Sequence, residues 1–230
     1  MKTINLGGIA VNRIGLGTNR ITDTAESHEI LRYAVERGVN FIDTAHLYTG
    51  GTSERVIGET LSPYAPGLVV ASKCGYMGGA PDVLRAELEQ SLASLKTQQI
   101  TLYQLHRVDA AVDIEVSVLA MKEFQDEGKI KHIGLSEVTV DQIIRARKIA
   151  EIASVQNHYN MQERAHDDVV DYCTAENIIF IPFFPLGGRG GLGVSSAEAL
   201  RWLLDRSPMM LPIPGTLSKN HLDENLSALQ

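Results

Sequence analysis

Eight short apolar runs, each followed by a stretch of helical period, restrict the possible folds of this chain more than any other feature. The runs are Arg13–Gly17, Asn40–Thr44, Leu68–Lys73, Ile100–His106, Lys131–Ser136, Ala153–Asn157, Ile178–Leu186 and Met209–Gly215. Most are nearly continuous in hydrophobics instead of alternating, as strands covered on both faces are. Between them, DVLRAELEQSLASLK (Asp82–Lys96) places Val83, Leu84, Leu88, Leu92 and Leu95 on one stripe, with Asp82 as the expected N-cap. IEVSVLAMKEFQDEGK (Ile114–Lys129) ends in Gly128, a helix-stop signal. Shorter helical patterns predict helices over Glu26–Arg37, Ser53–Leu61, Val140–Ile152, His166–Glu176, Ser196–Asp205 and Lys219–Leu229.

Strand–helix pairs repeated in this way, after an N-terminal hairpin (INLGGIAV), imply an α/β fold of the (β/α)8 TIM-barrel type, with residues 1–230 as a single domain. The rival arrangement is a doubly wound sheet. It usually carries a Gly-rich phosphate loop after its first strand, and GLGTNR is only a partial match to that pattern.

Composition narrows the function classes. The chain of 230 residues has a formal net charge of −7, which argues against nucleic acid, whose binders need basic patches. No run of 18 apolar residues exists to predict a membrane span. The start, MKTINLGGIAVNRIGLG, is broken by glycines and does not read as a signal peptide. Two distant cysteines, Cys74 and Cys173, suit free thiols in a reducing compartment, so a cytoplasmic protein is expected.

Active sites of such barrels form at the C-terminal ends of the strands. Asp43 and Tyr48 follow the second run, Lys73 ends the third, His106 the fourth and Ser136 the fifth; Gln156, Asn157 and His158 close the sixth. Singly, each has an ordinary structural use: Asp43 a loop cap, Tyr48 a rim aromatic, His106 a core histidine. Lys73 is different, because a lysine at a buried strand end needs a charge partner, and Asp43 on the neighbouring strand is the obvious one.

Taken in order, FIDTAHLY, VVASK, LYQLH, GKIKHIGLS, SVQNHYN, PFFPLG and IPGTLSKNHLDENLSA resemble the signature segments of the aldo-keto reductases from first strand to last helix. ARKIAEIASVQNHYN and RSPMMLPIPGT look like a bacterial group that includes pyridoxal-reductase-like members. The resemblance implies a catalytic tetrad of Asp43, Tyr48, Lys73 and His106 that reduces a small aldehyde or ketone with NADPH, NADH being the alternative. Hydride arriving at a carbonyl carbon leaves negative charge on oxygen, so a positioned proton donor is needed. Tyr48 would fill that role, eased by Lys73, which Asp43 would hold charged. No metal is required.

The resemblance further implies that Ser136 with Asn157 or Gln156 holds the nicotinamide carboxamide and that Phe183 stacks on its ring. Pro185, Leu186 and Gly187 would run under the pyrophosphate, and Gly17 and Thr18 would approach the ribose. Ile213, Gly215, Thr216, Leu217, Ser218, Lys219, His221, Glu224 and Asn225 would grip the adenosine end, with Lys219 as the nearby fixed positive charge. The chain departs from its relatives at Glu137, where many have Asn, and at Gly215 and His221, where many have Lys and Arg. Its loops after the third and seventh strands are short, and no long C-terminal tail is expected. The partner is then a small carbonyl compound, with no nucleic acid or membrane, for a monomer or small homo-oligomer. Two other readings fit the residues: a catalytically weak nucleotide-binding or interaction protein on the same scaffold, and a metal site built from His46, His106, His132 and His158, all placed near strand C-termini.

Overall fold

The structure, a computed structural model, describes residues 2–230, and of Arg189 the backbone alone. An antiparallel hairpin of β1 (Thr3–Leu6) and β2 (Ile9–Asn12) comes first. Seven parallel strands follow in sequence order: β3 (Leu16–Gly17), β4 (Phe41–Asp43), β5 (Val69–Cys74), β6 (Ile100–Leu105), β7 (Ile130–Ser136), β8 (Ile152–Gln156) and β9 (Ile179–Phe180). The helices that alternate with them are α1 (Ala25–Glu36), α2 (Thr52–Leu61), α3 (Pro81–Ser94), α4 (Ile114–Asp126), α5 (Val140–Arg147), α6 (Asp167–Ala175), α7 (Ser196–Arg206) and α8 (Lys219–Ser227). The architecture is a (β/α)8 barrel with an N-terminal hairpin.

Closure explains why seven regular strands are found where eight are expected. Met209–Gly215 does run beside the sheet: Leu211 N–H donates to Phe180 O at 2.9 Å on one side. On the other, Gly15 and Gly17 donate to the carbonyls of Pro212 and Pro214 at 3.0 and 3.3 Å. Both prolines lack an N–H, so this segment accepts from β3 without donating back and forms no regular ladder. Pro182 shortens β9 in the same way. Beyond Phe180, pairing continues as single bonds, Ile181 N–H to Val155 O at 2.8 Å and Phe183 N–H to Asn157 O at 3.1 Å.

Strand alternation sorts the core into two. Ile42, Val70, Tyr103, Leu105, Ile133, Leu135, Val155 and Phe180 pack outward against the helices. Their neighbours Phe41, Val69, Ala71, Leu102, Ile179 and Ile181 form a separate interior cluster, joined by Leu211 and Ile213 and by Ile4, Leu6 and Val11 of the hairpin. The hairpin therefore plugs the N-terminal end of the barrel. Asn40, just before β4, ties it down by accepting from Asn12 N–H and donating to Ala10 O, both at 2.8 Å. Gly7 sits so close to the His132 imidazole that a Cβ would lie 2.0 Å from it, and its φ of +52° adds to the demand for glycine.

Several helix ends follow side-chain chemistry, and one expected cap is corrected. Thr139 and Gln142 form a capping box at α5, and Ser195 and Ser218 cap α7 and α8. Asp82 does not cap α3: Pro81 takes the first helical position, where its missing N–H costs nothing, and Asp82 lies inside the first turn. Gly128 does stop α4, at φ +75°. Helix α5 ends well before the expected Ile152, because that residue already pairs with Ile133 as the start of β8. Cys74 and Cys173 are free and buried. No helix among the described residues is long and apolar enough to cross a membrane.

Candidate active site

Asp43 and Lys73 stand on the interior face two residues beyond Phe41 and Ala71, where the apolar filling gives way to polar groups. Lys73 is fully buried, and its ammonium spends all three N–H donors: on Asp43 Oδ2 at 2.7 Å, Thr44 O at 2.8 Å and the Tyr48 hydroxyl at 3.3 Å. The other carboxylate oxygen of Asp43 accepts from Gln156 Nε2 at 2.8 Å and Gln104 Nε2 at 3.3 Å. The buried charge pair is thus fully satisfied, which is the condition for a stable one. Gln104 was not singled out in the sequence. Its signal was the interior register it shares with Leu102 and His106.

Tyr48 opens a short 3₁₀ turn, Tyr48–Gly51, where Thr49, Gly50 and Gly51 all take positive φ and swing the chain into α2. Its ring meets the His106 imidazole edge-on at 5.8 Å, and Lys73 Nζ lies 4.9 Å from the ring centre. Burial raises the Tyr48 pKa above that of a free phenol, Lys73 pulling it back and Asp43 pushing it further up. Burial alone would lower the Lys73 pKa, but Asp43 and Tyr48 reverse this and hold it above the ordinary lysine value. Burial, then the charges of Lys73 and Arg107, lower the His106 pKa to about 3, so the imidazole is neutral near pH 7.

A groove of ≈ 340 Å³ opens over these residues. Asp43, Tyr48 and His106 line it, as do the expected Gly17, Thr18, Ser136, Gln156, Phe183, Pro185, Leu186, Ile213 and Gly215. A second hollow of ≈ 370 Å³ adjoins it, sharing Arg20, Leu186 and Gly215, and is lined also by Thr216, Leu217, Ser218, His221, Glu224 and Asn225. Two glycines mark the junction. A Cβ at Gly17 would lie 2.6 Å from Ile213 O, and one at Gly215 3.0 Å from Gly17 O, so backbone alone fits there.

The track suits a dinucleotide. Asn225 is almost fully buried beside the second hollow, and its Oδ1 has no hydrogen-bond partner among the described residues. The N-terminus of α8 opens onto the same hollow, a favourable place for a phosphate. Arg20, absent from the sequence-based candidates, lines both spaces and makes no ion pair among the described residues.

Some expected residues lie elsewhere. Asn157 is buried, but its amide is closed on Val138, donating to O at 2.8 Å and accepting from N–H at 3.1 Å. Lys219 pairs with Glu29 and stands 5.1 Å over the Tyr33 ring, facing α1 and not the track. Gly187 forms the turn at φ +75° while its neighbours reach the groove. His132 sits under the hairpin at the opposite end of the barrel, which corrects its placement at a strand C-terminus. His158 stacks on Phe183 at 5.2 Å, and His46 Nδ1 lies 3.9 Å from the buried Glu54. No group of three or more His, Cys, Asp or Glu able to hold a metal occurs among the described residues.

Glu137, just beyond β7, takes a positive φ of +54°. One oxygen accepts from His158 N–H at 2.8 Å, and the other faces Arg107 Nη1 at 2.9 Å. Arg107 itself lines the groove.

Comparison with known proteins agrees with this geometry. Residues 13–196 match the model of the Aldo/keto reductase family. An uncharacterized oxidoreductase of Schizosaccharomyces pombe is 38% identical over 98% of this chain and 84% of its own length. That alignment runs over 258 positions, more than the 230 residues here, so the relative carries segments this chain lacks. Pyridoxine 4-dehydrogenase of Escherichia coli is 36% identical over 98% of the chain and 92% of its own. A crystal structure of an aldo-keto reductase from Klebsiella pneumoniae in complex with NADPH superposes with a TM-score of 0.89 at 27% identity, covering 99% of this chain and 89% of that one. With an Asp–Lys–Tyr–His cluster at the C-terminal mouth of its barrel, the chain belongs to the aldo/keto reductase family and so to the NAD(P)H-dependent oxidoreductases.

Proposed function

We propose that the protein reduces a small aldehyde or ketone to an alcohol with NADPH, and that Tyr48 donates the proton. The observation that carries this reading is the use of the Lys73 donors. One of its N–H groups points at the Tyr48 oxygen, so the hydroxyl's own proton is left to point into the groove. As that proton leaves, the phenolate that forms lies against a fixed ammonium, which lowers the cost of the transfer. Asp43, anchored by Gln104 and Gln156, keeps the ammonium charged and aimed. His106, neutral in its buried setting, hydrogen-bonds the substrate oxygen and fixes its direction.

When bound, NADPH supplies the hydride. Ser136 and Gln156 flank the place for its carboxamide, and Phe183 offers the ring face. Gly17, Thr18, Pro185, Leu186, Ile213 and Gly215 would form the bed for the ribose and pyrophosphate. Thr216, Leu217, Ser218, His221, Glu224 and Asn225 take the adenosine end. Because Lys219 is engaged by Glu29, Arg20 is the better candidate to favour NADPH over NADH.

The test is NADPH oxidation with 4-nitrobenzaldehyde and a carbonyl panel that includes pyridoxal, given the name of the Escherichia coli relative. Tyr48→Phe is expected to lower kcat by roughly 10²–10⁴ while NADPH still binds. NADPH binding without turnover of any carbonyl would leave a nucleotide-binding protein and remove the reductase reading.

A further inference from the structure

We propose that Arg107 is a receptor for a carboxylate on the substrate, so that the preferred substrates are aldehydes or ketones bearing an acid group. The proposal rests on the reductase reading above and assigns the part of the groove which that reading leaves unused.

Arg107 directly follows His106, and both side chains line the groove with Tyr48. Its guanidinium lies 5.9 Å over the Tyr76 ring, which also packs against His106 at 5.0 Å. Its charge is felt by both His106 and Tyr48. The cation is therefore on the reaction side of the groove. Arg20, the other cation lining it, stands at the junction with the second hollow.

The contact with Glu137 aims the guanidinium without using it up. Glu137 approaches one nitrogen, Nη1, and does not itself line the groove. A guanidinium has five N–H donors, so an edge remains for a planar, singly charged carboxylate. A phosphate dianion would bring a second negative charge toward Glu137 and is disfavoured. The Arg107 side chain is 41% exposed, open to an incoming group and still held on one side.

Charge balance strengthens the argument. Asp43 and Lys73 neutralise one another at the floor, and Arg107, only partly balanced by Glu137, is the positive group left beside the reaction centre on a chain whose formal net charge is −7. A neutral substrate needs no such cation, whereas an acidic one approaching an acidic protein does.

The experiment compares 2-, 3- and 4-formylbenzoate, each with its methyl ester, as substrates of the full chain with saturating NADPH. For at least one isomer the acid is expected to exceed its ester in kcat/KM by tenfold or more. In Arg107→Met, and equally in Arg107→Gln, that ratio is expected to fall to about one, whatever the absolute rate. Three esters that match or outrun their acids would overturn the proposal and leave the reductase reading intact. A preference that survives both substitutions would overturn it as well. Reduction of neither acids nor esters would overturn the proposal, and the reductase reading would then be decided by the carbonyl panel above.

Discussion

Phe41 and Asp43 lie two residues apart on β4 and face the same barrel interior, yet they belong to opposite chemistries. Around Phe41 the filling is Val69, Leu102, Ile179 and the hairpin residues Ile4, Leu6 and Val11, all buried and apolar. Around Asp43 it is Lys73, Gln104, His106 and Gln156, equally shielded but polar. The step recurs along β5 from Val69 and Ala71 to Lys73, and along β6 from Leu102 to Gln104. One end of the barrel is held by dispersion and exclusion of water, which any well-shaped hydrophobic group can supply. The other depends on every donor finding its acceptor, which tolerates almost no change.

The largest contrast is expected from Lys73→Met. Activity should drop by roughly 10²–10⁴ or more, since the Tyr48 proton loses its electrostatic support. Removing one partner should also destabilise the fold by about 3–5 kcal/mol, because Asp43 is left buried without its counter-charge. Adding Asp43→Asn to Lys73→Met should recover much of the stability and none of the activity, read by urea denaturation beside NADPH oxidation. If the double variant were as unstable as the single one, packing and not charge would hold this end.

Phe41→Ala tests the other end. A loss of roughly 3–5 kcal/mol is expected from the cavity and the lost burial. The kcat of the folded fraction should stay unchanged, since Phe41 lies below the groove. A parallel loss of turnover would mean that the two ends are mechanically coupled.

The smallest effect concerns acid. The unfolded His106 binds a proton near the ordinary histidine value of about 6.5, whereas the folded one refuses it until about pH 3. Within that window the unfolded chain holds more protons, so this residue makes stability fall as pH falls. Denaturation at pH 7, 6 and 5 should show a shallower decline in His106→Asn. Identical slopes would mean that the imidazole is not buried neutral.

The polar end was legible from the chain because strand period and strand ends locate it: Asp43, Lys73 and His106 each close an apolar run. Gln104 and Arg107 occupy equally good positions, but beside a histidine an amide or a surface-type arginine carries no distinctive pattern. Arg20 sits in a loop whose path depends on Gly17 and Gly215 meeting across the barrel, a contact between the first and last strands that local periodicity cannot reveal. Lys219 shows the converse. It was the basic residue closest in sequence to the expected adenosine segment, and nothing local indicated that Glu29 on α1 would claim it. The strand expected over Met209–Gly215 was correct in place but forms no regular ladder, because Pro212 and Pro214 decide its hydrogen bonding.

Those two prolines also govern how the barrel finds its register. The closing segment points Leu211 N–H toward β9 and only proline carbonyls toward β3. A slip of one residue would exchange the sides, turning prolines toward Phe180, where a donor is required, and losing the bond that Leu211 makes. Misaligned closure is thus penalised on both flanks at once. A segment too poor in donors to form a regular strand serves as the key that admits a single alignment of the last staves of the barrel.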